Sequence, residues 1–506
     1  MAKSIMIQGT GSDVGKSVIV TALCRIFKQD GYRVAPFKSQ NMSNNSYVTS
    51  DGKEIGRAQG VQAEAAGIEA IVEMNPILIK PSGDHHSQIV LMGRPLHTVN
   101  AVQYREEYFE IGKKAIIDSL HHLQQQVDFL VIEGAGSPAE INLNDRELVN
   151  MRVARWADAP VILVADIDRG GVFASIVGTL DLLHDEDKKR VAGVIINKFR
   201  GDLSLLQPGI EWLENYIQKP VLGVIPFLPS LEVEAEDGVV LERKGAPREY
   251  AGESIGIAVI RNPRISNFTD FYALELEPDV SVYYVSHPTQ LGNPDAIILP
   301  GTKNTIEDLK WLRDSGLEDQ ILKAIKHRRV ELVGICGGYQ MLGELIQDPL
   351  NIESSMGEII GFNLLPIVTT FHEIKRTVKI MGKTNSFPLW KDLSNQLVHG
   401  YEIHMGQSVY TKECNKPFLI IEEDGQTHFD GAVSEEGNVW GTYIHGIFDN
   451  DAFRRGWINR IRRKKGLAAV EIMVNTKERK EESFNRLADH VRSCLQMGKI
   501  YELIFS

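Results

Sequence analysis

The stretch that most constrains the fold is Gly9-Thr10-Gly11-Ser12-Asp13-Val14-Gly15-Lys16-Ser17, set between an apolar segment at 4–8 and a helical pattern running to residue 29. Glycines between a strand and a helix let backbone N–H groups close around phosphate oxygens. A lysine there neutralises the β/γ charge, and a following hydroxyl can hold Mg²⁺. The spacing from Gly9 to Gly15 is one residue longer than the standard GxxxxGK[ST], but Lys16-Ser17 completes the loop. All nine residues are therefore candidate nucleotide contacts. A loop of this kind belongs to a parallel sheet wrapped by helices, whose ligands sit at the C-terminal strand ends.

The following sequence fits such a sheet. Apolar runs at 33–36, 129–132, 161–165, 191–196 and 221–225 recur at the spacing of strands joined by helices. Glu133 ends the second of these runs, where a carboxylate can complete the Mg²⁺ shell of a bound nucleotide. Asp166 and Asp168 are further acids at strand ends, and the Asn197 amide could meet an adenine edge; each of these could instead cap a helix. Residues 37–46 are polar and expected to continue neither strand nor helix. Within them Lys38 either reaches the same phosphates or lies on an ordinary surface loop. Residues 81–95 read as a polar loop. The pairs His85-His86 and His121-His122 do not suggest a metal site, because neighbouring side chains do not converge and no further ligand spacing accompanies them.

From 228 to 253 the chain is proline-rich, acidic and without helical period, which places a domain boundary there. A second α/β pattern follows, with strands at 255–260, 280–285 and 296–299 and helices at 267–274, 305–315 and 317–329. It leads to Gly334-Ile335-Cys336-Gly337-Gly338, where an apolar run meets two glycines and then a helical segment. This is the strand, nucleophile, helix elbow. A tight turn pushes one side chain out of the sheet, the next N–H groups are free to bind an oxyanion, and the positive end of the helix favours a thiolate. Cys336 is the candidate nucleophile. Segments 400–406 and 438–446 alternate like strands, and His445 ends the second of them, where a base for Cys336 would be presented. The charged remainder, 451–506, reads as a helical packed tail.

Composition narrows the function classes. A net charge of −12 over 506 residues disfavours general nucleic-acid or membrane-surface binding, while leaving room for a local basic site. No apolar run approaches a membrane span. Four cysteines without a CxxC pair indicate neither a disulfide framework nor a zinc site, and the expected setting is the reducing cytoplasm.

The runs FKSQNMSNNS, EIGRAQ, EGAGSPAEINL and VADIDRGGVFAS, together with the Cys336 elbow and His445, resemble the cobyric acid synthase family of glutamine-dependent corrin amidoligases along almost the whole chain. The resemblance implies two doubly wound α/β domains. One is a P-loop, dethiobiotin-synthetase-like domain (1–228), joined by a linker (229–250) to a class I glutamine amidotransferase-like domain (251–448), with a helical tail (449–506). It implies ATP and Mg²⁺, the latter on Ser17 and Glu133. The substrates would be glutamine and a cobalt corrinoid, with Cys336 as nucleophile, His445 as base, and N–H groups near Gly301 and Gly337 for the oxyanion. The implied reaction amidates four carboxylates of adenosylcobyrinic acid a,c-diamide. Many class I glutaminases carry an acid two residues after the histidine. Here Gly446-Ile447 follow, so the partner of the imidazole is unassigned. A basic cleft for the corrin is expected at the strand ends of the first domain, with Lys38, Lys80, Arg94 and Arg169 as candidates. Two rivals are cobyrinic acid a,c-diamide synthase and a P-loop assembly ATPase carrying an inactive amidotransferase-like domain.

Overall fold

The computed structural model describes residues 2–83, 86–99, 108–228, 253–328, 330–421, 425–471 and 473–505. The linker expected at 229–250 and His85 lie outside them.

The first sheet has six parallel strands in the order Val221–Pro226, Val191–Phe199, Val161–Asp166, Lys3–Gly9, Phe129–Glu133, Val34–Phe37. The central strands are nearly continuous Val, Ile and Leu because helices cover both faces, so every side chain needs an apolar neighbour. Lys3–Gly9 sits in the middle, with Ile7 opposite Glu133 on one side and Gln8 opposite Leu163 on the other. This register brings the phosphate loop, Glu133, Asp166 and Asn197 to one end of the sheet.

Two regions depart from expectation. Residues 40–42 and 46–48 are short strands, Gln40–Met42 and Ser46–Val48. The segment read as a polar loop is mostly sheet: Ile77–Pro81, Ser87–Leu91 and Arg94–Val99 form antiparallel ribbons, extended by Gln40–Met42. Ile77, Ile79 and Ile89 are buried and hold this sheet on the core. The turn is Met92-Gly93, with φ of 48° and 74°, which suits a tight two-residue hairpin. Methionine in the left-handed region is no turn signal, which is why the hairpin was hidden in the sequence.

The second sheet runs Val280–Val285, Ile255–Ile260, Ala296–Leu299, Glu331–Ile335, Val439–Thr442, Ala432–Val433, parallel except for the last strand. Ile335 lies opposite Thr442. Cys336 and His445 therefore leave neighbouring strands at the same end. Where a helix is expected at 267–274 the chain forms a 3-10 turn, Phe268–Phe271, and a short helix, Tyr272–Glu275. A third sheet is organised around the long antiparallel pair Ile367–Thr384 and Leu397–Tyr410.

The tail is helical, as expected, and it serves both halves. Asp451–Lys464 packs on the second sheet, its buried Arg454 2.7 Å from Glu277. Thr476–Cys494 and Met497–Phe505 return to the first half, where Leu487, Val491, Ile500 and Ile504 join the core around Leu23 and Phe27. Arg25, mostly buried on the phosphate-loop helix, is 2.7 Å from Glu481.

Candidate active sites

The phosphate loop ends in the helix Lys16–Gln29, whose N-cap Gly15 has φ 99°, a left-handed turn favouring glycine. Ser12 and Asp13 form the exposed tip and Val14 is the buried anchor. Thr10 N–H donates to Val164 O at 2.9 Å, stitching the loop to the sheet. The Lys16 ammonium donates to Gly11 O (2.8 Å) and Gly136 O (3.1 Å), so it is held over the loop before any phosphate arrives. The Asn197 amide donates to Val14 O at 2.8 Å. Its nitrogen thus braces the loop backbone in this structure.

Glu133 is the hub of this end of the sheet. Its Oε1 accepts from Ser17 Oγ (2.8 Å) and Lys38 Nζ (2.8 Å), and its Oε2 from Gln62 Nε2 (2.6 Å). Lys38 is buried, so it does not lie on a surface loop. The Ser17 hydroxyl and the Glu133 carboxylate are hard oxygen donors beside the phosphate loop. That suits Mg²⁺, which takes few protein ligands and fills its shell with phosphate and water. Among the described residues no cluster of three or more His, Cys, Asp or Glu could hold a metal by itself. Asp166 and Asp168 are engaged with Lys198 and Arg200, each at 2.9 Å. Arg169 reaches Asp13 at 2.6 Å.

The second site is built at the elbow. Cys336 has φ 51° and ψ −106° between the strand Glu331–Ile335 and the helix Gly337–Met341, a strained geometry that a non-glycine residue keeps only where its surroundings enforce it. Close packing explains the glycines: a Cβ on Gly338 would stand 1.9 Å from Leu299 O. The Sγ lies 3.7 Å from Ile403 O. Gly337 opens the helix and Gly301 lies beside the imidazole, where a side chain would come within 3.0 Å of His445 Cε1.

His445 is buried and its orienting partner is Asp270. Nδ1 is 2.7 Å from Asp270 Oδ2, while the other oxygen, Oδ1, accepts the Gly446 N–H at 3.0 Å. The Tyr401 ring stacks on the imidazole at 5.1 Å. Burial acts to lower the His445 pKa, but the Asp270 carboxylate, and after it Cys336, outweigh this and raise it from 6.5 to about 10. The imidazolium is therefore the resident form at neutral pH. It is also the form that can protonate a departing amine. Sequence reasoning missed Asp270 because its partner is 175 residues away. The available hint was an acid in the segment that follows the C-terminal end of the strand Ile255–Ile260.

The first half of the chain touches this site directly. Ser46 N–H donates to Asn267 Oδ1 at 2.8 Å, and Asn267 Nδ2 is 3.4 Å from His445 Nε2. Phe268 N–H donates to Asn45 Oδ1 at 3.3 Å. Lys80, expected on an open corrin cleft, is instead buried and 2.7 Å from Glu54, which also pairs with Lys375 of the second half at 2.5 Å. Lys80 and Lys375 both line the cavity beside Cys336. Lys80 alternates with Ile77 and Ile79, which face the core, so its side chain leaves the opposite face of the strand Ile77–Pro81 and meets Glu54, which Lys375 of the second half also holds. Lys38, Arg169 and the exposed Arg94 remain on the first half.

Family models match both halves of the chain. Residues 5–240 match the family described as the CobQ/CobB/MinD/ParA nucleotide binding domain, and residues 256–453 the CobB/CobQ-like glutamine amidotransferase domain. The chain is 55% identical to a cobyric acid synthase of Geobacillus sp. (strain WCH70), covering 100% of this chain and 99% of that protein. It is 51% identical to the proteins of that name from Citrobacter koseri and Clostridium botulinum, again over 100% of this chain and 99% of each. Among the described residues no helix is long and apolar enough to cross a membrane.

Proposed function

Because the chain belongs to the cobyric acid synthase family, we propose that it uses glutamine and ATP to convert carboxylates of a cobalt corrinoid to amides. The acceptor in this reading is adenosylcobyrinic acid a,c-diamide, amidated at its b, d, e and g carboxylates to adenosylcobyric acid, a step of cobalamin biosynthesis. The observation that carries it is the pairing, in one chain, of a phosphate loop with Lys16 held over it and a buried Cys336, His445, Asp270 constellation.

Residues 251–448 act as the glutaminase. The Cys336 thiolate attacks the glutamine amide carbon, and N–H groups at Gly337 and Gly301 receive the oxyanion. Imidazolium His445, steadied by Asp270, gives its proton to the departing nitrogen as the C–N bond breaks. Ammonia leaves, and water then hydrolyses the thioester to glutamate. Residues 1–228 act as the ligase. A corrin carboxylate oxygen attacks the γ-phosphorus of ATP and ADP departs; Lys16 and the loop N–H groups stabilise the charge in transit. Ammonia then attacks the acyl phosphate and inorganic phosphate leaves. When bound, Mg²⁺ would be held by Ser17 and Glu133 and supply neutralisation of phosphate charge. Residues 229–250 join the two halves and 449–506 pack against both. Four unpaired cysteines accord with a cytoplasmic setting.

Mass spectrometry of the corrin product after incubation with ATP, Mg²⁺ and glutamine tests the reading. Four successive losses of one mass unit per carboxylate turned to amide are expected from the a,c-diamide, and none from cobyrinic acid itself at its a and c positions. Amidation of only the latter pair would assign the chain to cobyrinic acid a,c-diamide synthesis, and absence of any glutamine hydrolysis would favour an assembly ATPase.

A further inference from the structure

The cavity beside Cys336 carries more positive charge than its own carboxylates balance. Three lysines line it, Lys80, Lys303 and Lys375, and one carboxylate, Glu353. Behind the wall, Glu54 takes Lys80 at 2.7 Å and Lys375 at 2.5 Å, and Ser46 Oγ donates to the same carboxylate at 2.7 Å. Two cations are thus tied to one anion, and Glu353 Oε2 accepts the Thr305 N–H at 2.9 Å. Lys303 is different. Among the described residues its ammonium has no ion-pair or hydrogen-bond acceptor, although it is half-buried one residue after Thr302 and lines the same cavity as the nucleophile. Three cations against two carboxylates leave one positive charge in a confined pocket, which is costly unless a ligand supplies the anion.

Resting on the glutaminase reading, we propose that Lys303 receives the α-carboxylate of glutamine and so fixes the amide carbon at Cys336. The amide end of glutamine must meet Sγ, which leaves its charged α-amino acid end for the remaining polar wall. Lys303 is brought there by the loop that follows Ala296–Leu299, the same loop that carries Gly301. Its backbone N–H is fixed to Arg264 O at 3.0 Å, so the side chain springs from a rigid base. Burial lowers the ammonium's pKa and Glu353 opposes that. Glu353, the sole carboxylate among the lining residues, then faces the α-ammonium. A substrate with both charges is distinguished from a simple primary amide, because an amide without the carboxylate leaves Lys303 buried and unpaired.

The test compares Lys303→Met and Lys303→Arg with the full-length wild type, using glutamine and 4-aminobutanamide, which keeps the amide and amine but lacks the carboxylate. Ammonia-dependent corrin amidation, run by the other site, reports folding. In Lys303→Met the KM for glutamine is expected to rise roughly 10- to 100-fold, the range of one charge-assisted hydrogen bond. The kcat/KM for 4-aminobutanamide should change less than about threefold, and Lys303→Arg should recover part of the glutamine affinity. Equal losses on both amides, or an unchanged glutamine KM, would overturn the assignment while leaving the glutaminase intact. A wild type that hydrolyses no glutamine would instead overturn the functional reading, and this inference with it.

Discussion

The two sites of this chain are built by opposite strategies. At the phosphate site nine consecutive residues, Gly9 to Ser17, supply the loop, and its lysine is held by carbonyls of the loop itself and of Gly136. The thiol site is assembled from Asp270, Cys336 and His445, three elements of one sheet end, and is braced by Asn45 and Ser46 from the other half of the chain. A site made mostly of one turn's backbone leans on few distant residues, here Glu133, Gly136 and Asn197. A site made of side chains depends on everything that positions them, so damage at a distance should reach the second site and spare the first.

The largest effect expected is at the ATP site. Lys16→Ala should lower corrin amidation on the order of a thousandfold with either glutamine or ammonia, since both require the same acyl phosphate. Substantial ammonia-dependent activity in that variant would break the assignment of Lys16. Next comes the partner of the histidine. Asp270→Asn should reduce glutamine hydrolysis by roughly a hundredfold or more, because the imidazole loses both its orientation and the anion that keeps it charged. Ammonia-dependent amidation should be unaffected, and an equal loss there would mean that Asp270 holds the fold rather than His445.

How much could be read beforehand follows the same division. The phosphate loop, Glu133, the Cys336 elbow and His445 each sit at the end of an apolar run, where strand-end rules apply. Asp270 could not be paired with His445 because no local spacing links residues so far apart. The sequence leaves Lys38 open between a phosphate contact and a surface loop, and places both Lys38 and Lys80 among the candidates for a basic cleft. Their burial against Glu133 and Glu54 arises only when the sheets dock. The hairpin at Met92-Gly93 is masked because Met92 stands where Asn, Asp or Gly usually signals the turn.

A smaller effect sharpens the comparison across the seam. Asn45→Ala removes an acceptor for the Phe268 N–H beside Asp270, and should lower glutamine-dependent kcat by about fivefold, the worth of one ordinary hydrogen bond. Its ammonia-dependent rate should match wild type; if both rates fall together, the seam does not serve the thiol site selectively. A separate effect is on stability. The His445 pKa is raised from 6.5 to about 10 in the fold, so its ion pair stabilises fully below about pH 6.5 and is lost as pH rises through about 10. The Tm difference between wild type and Asp270→Asn should narrow as pH increases across that window, and a constant difference would contradict the pairing.

The separation of the two chemistries is tested most directly by Cys336→Ser, assayed with glutamine and, separately, with high ammonium at alkaline pH. A serine hydroxyl should not open the amide at a useful rate, so glutamine-dependent amidation is expected to vanish. ATP-dependent amidation from free ammonia should persist near the wild-type rate, because the phosphate site is untouched. A retained glutamine-dependent rate would contradict the role of Cys336, and loss of the ammonia reaction in a folded variant would contradict the independence of the two sites.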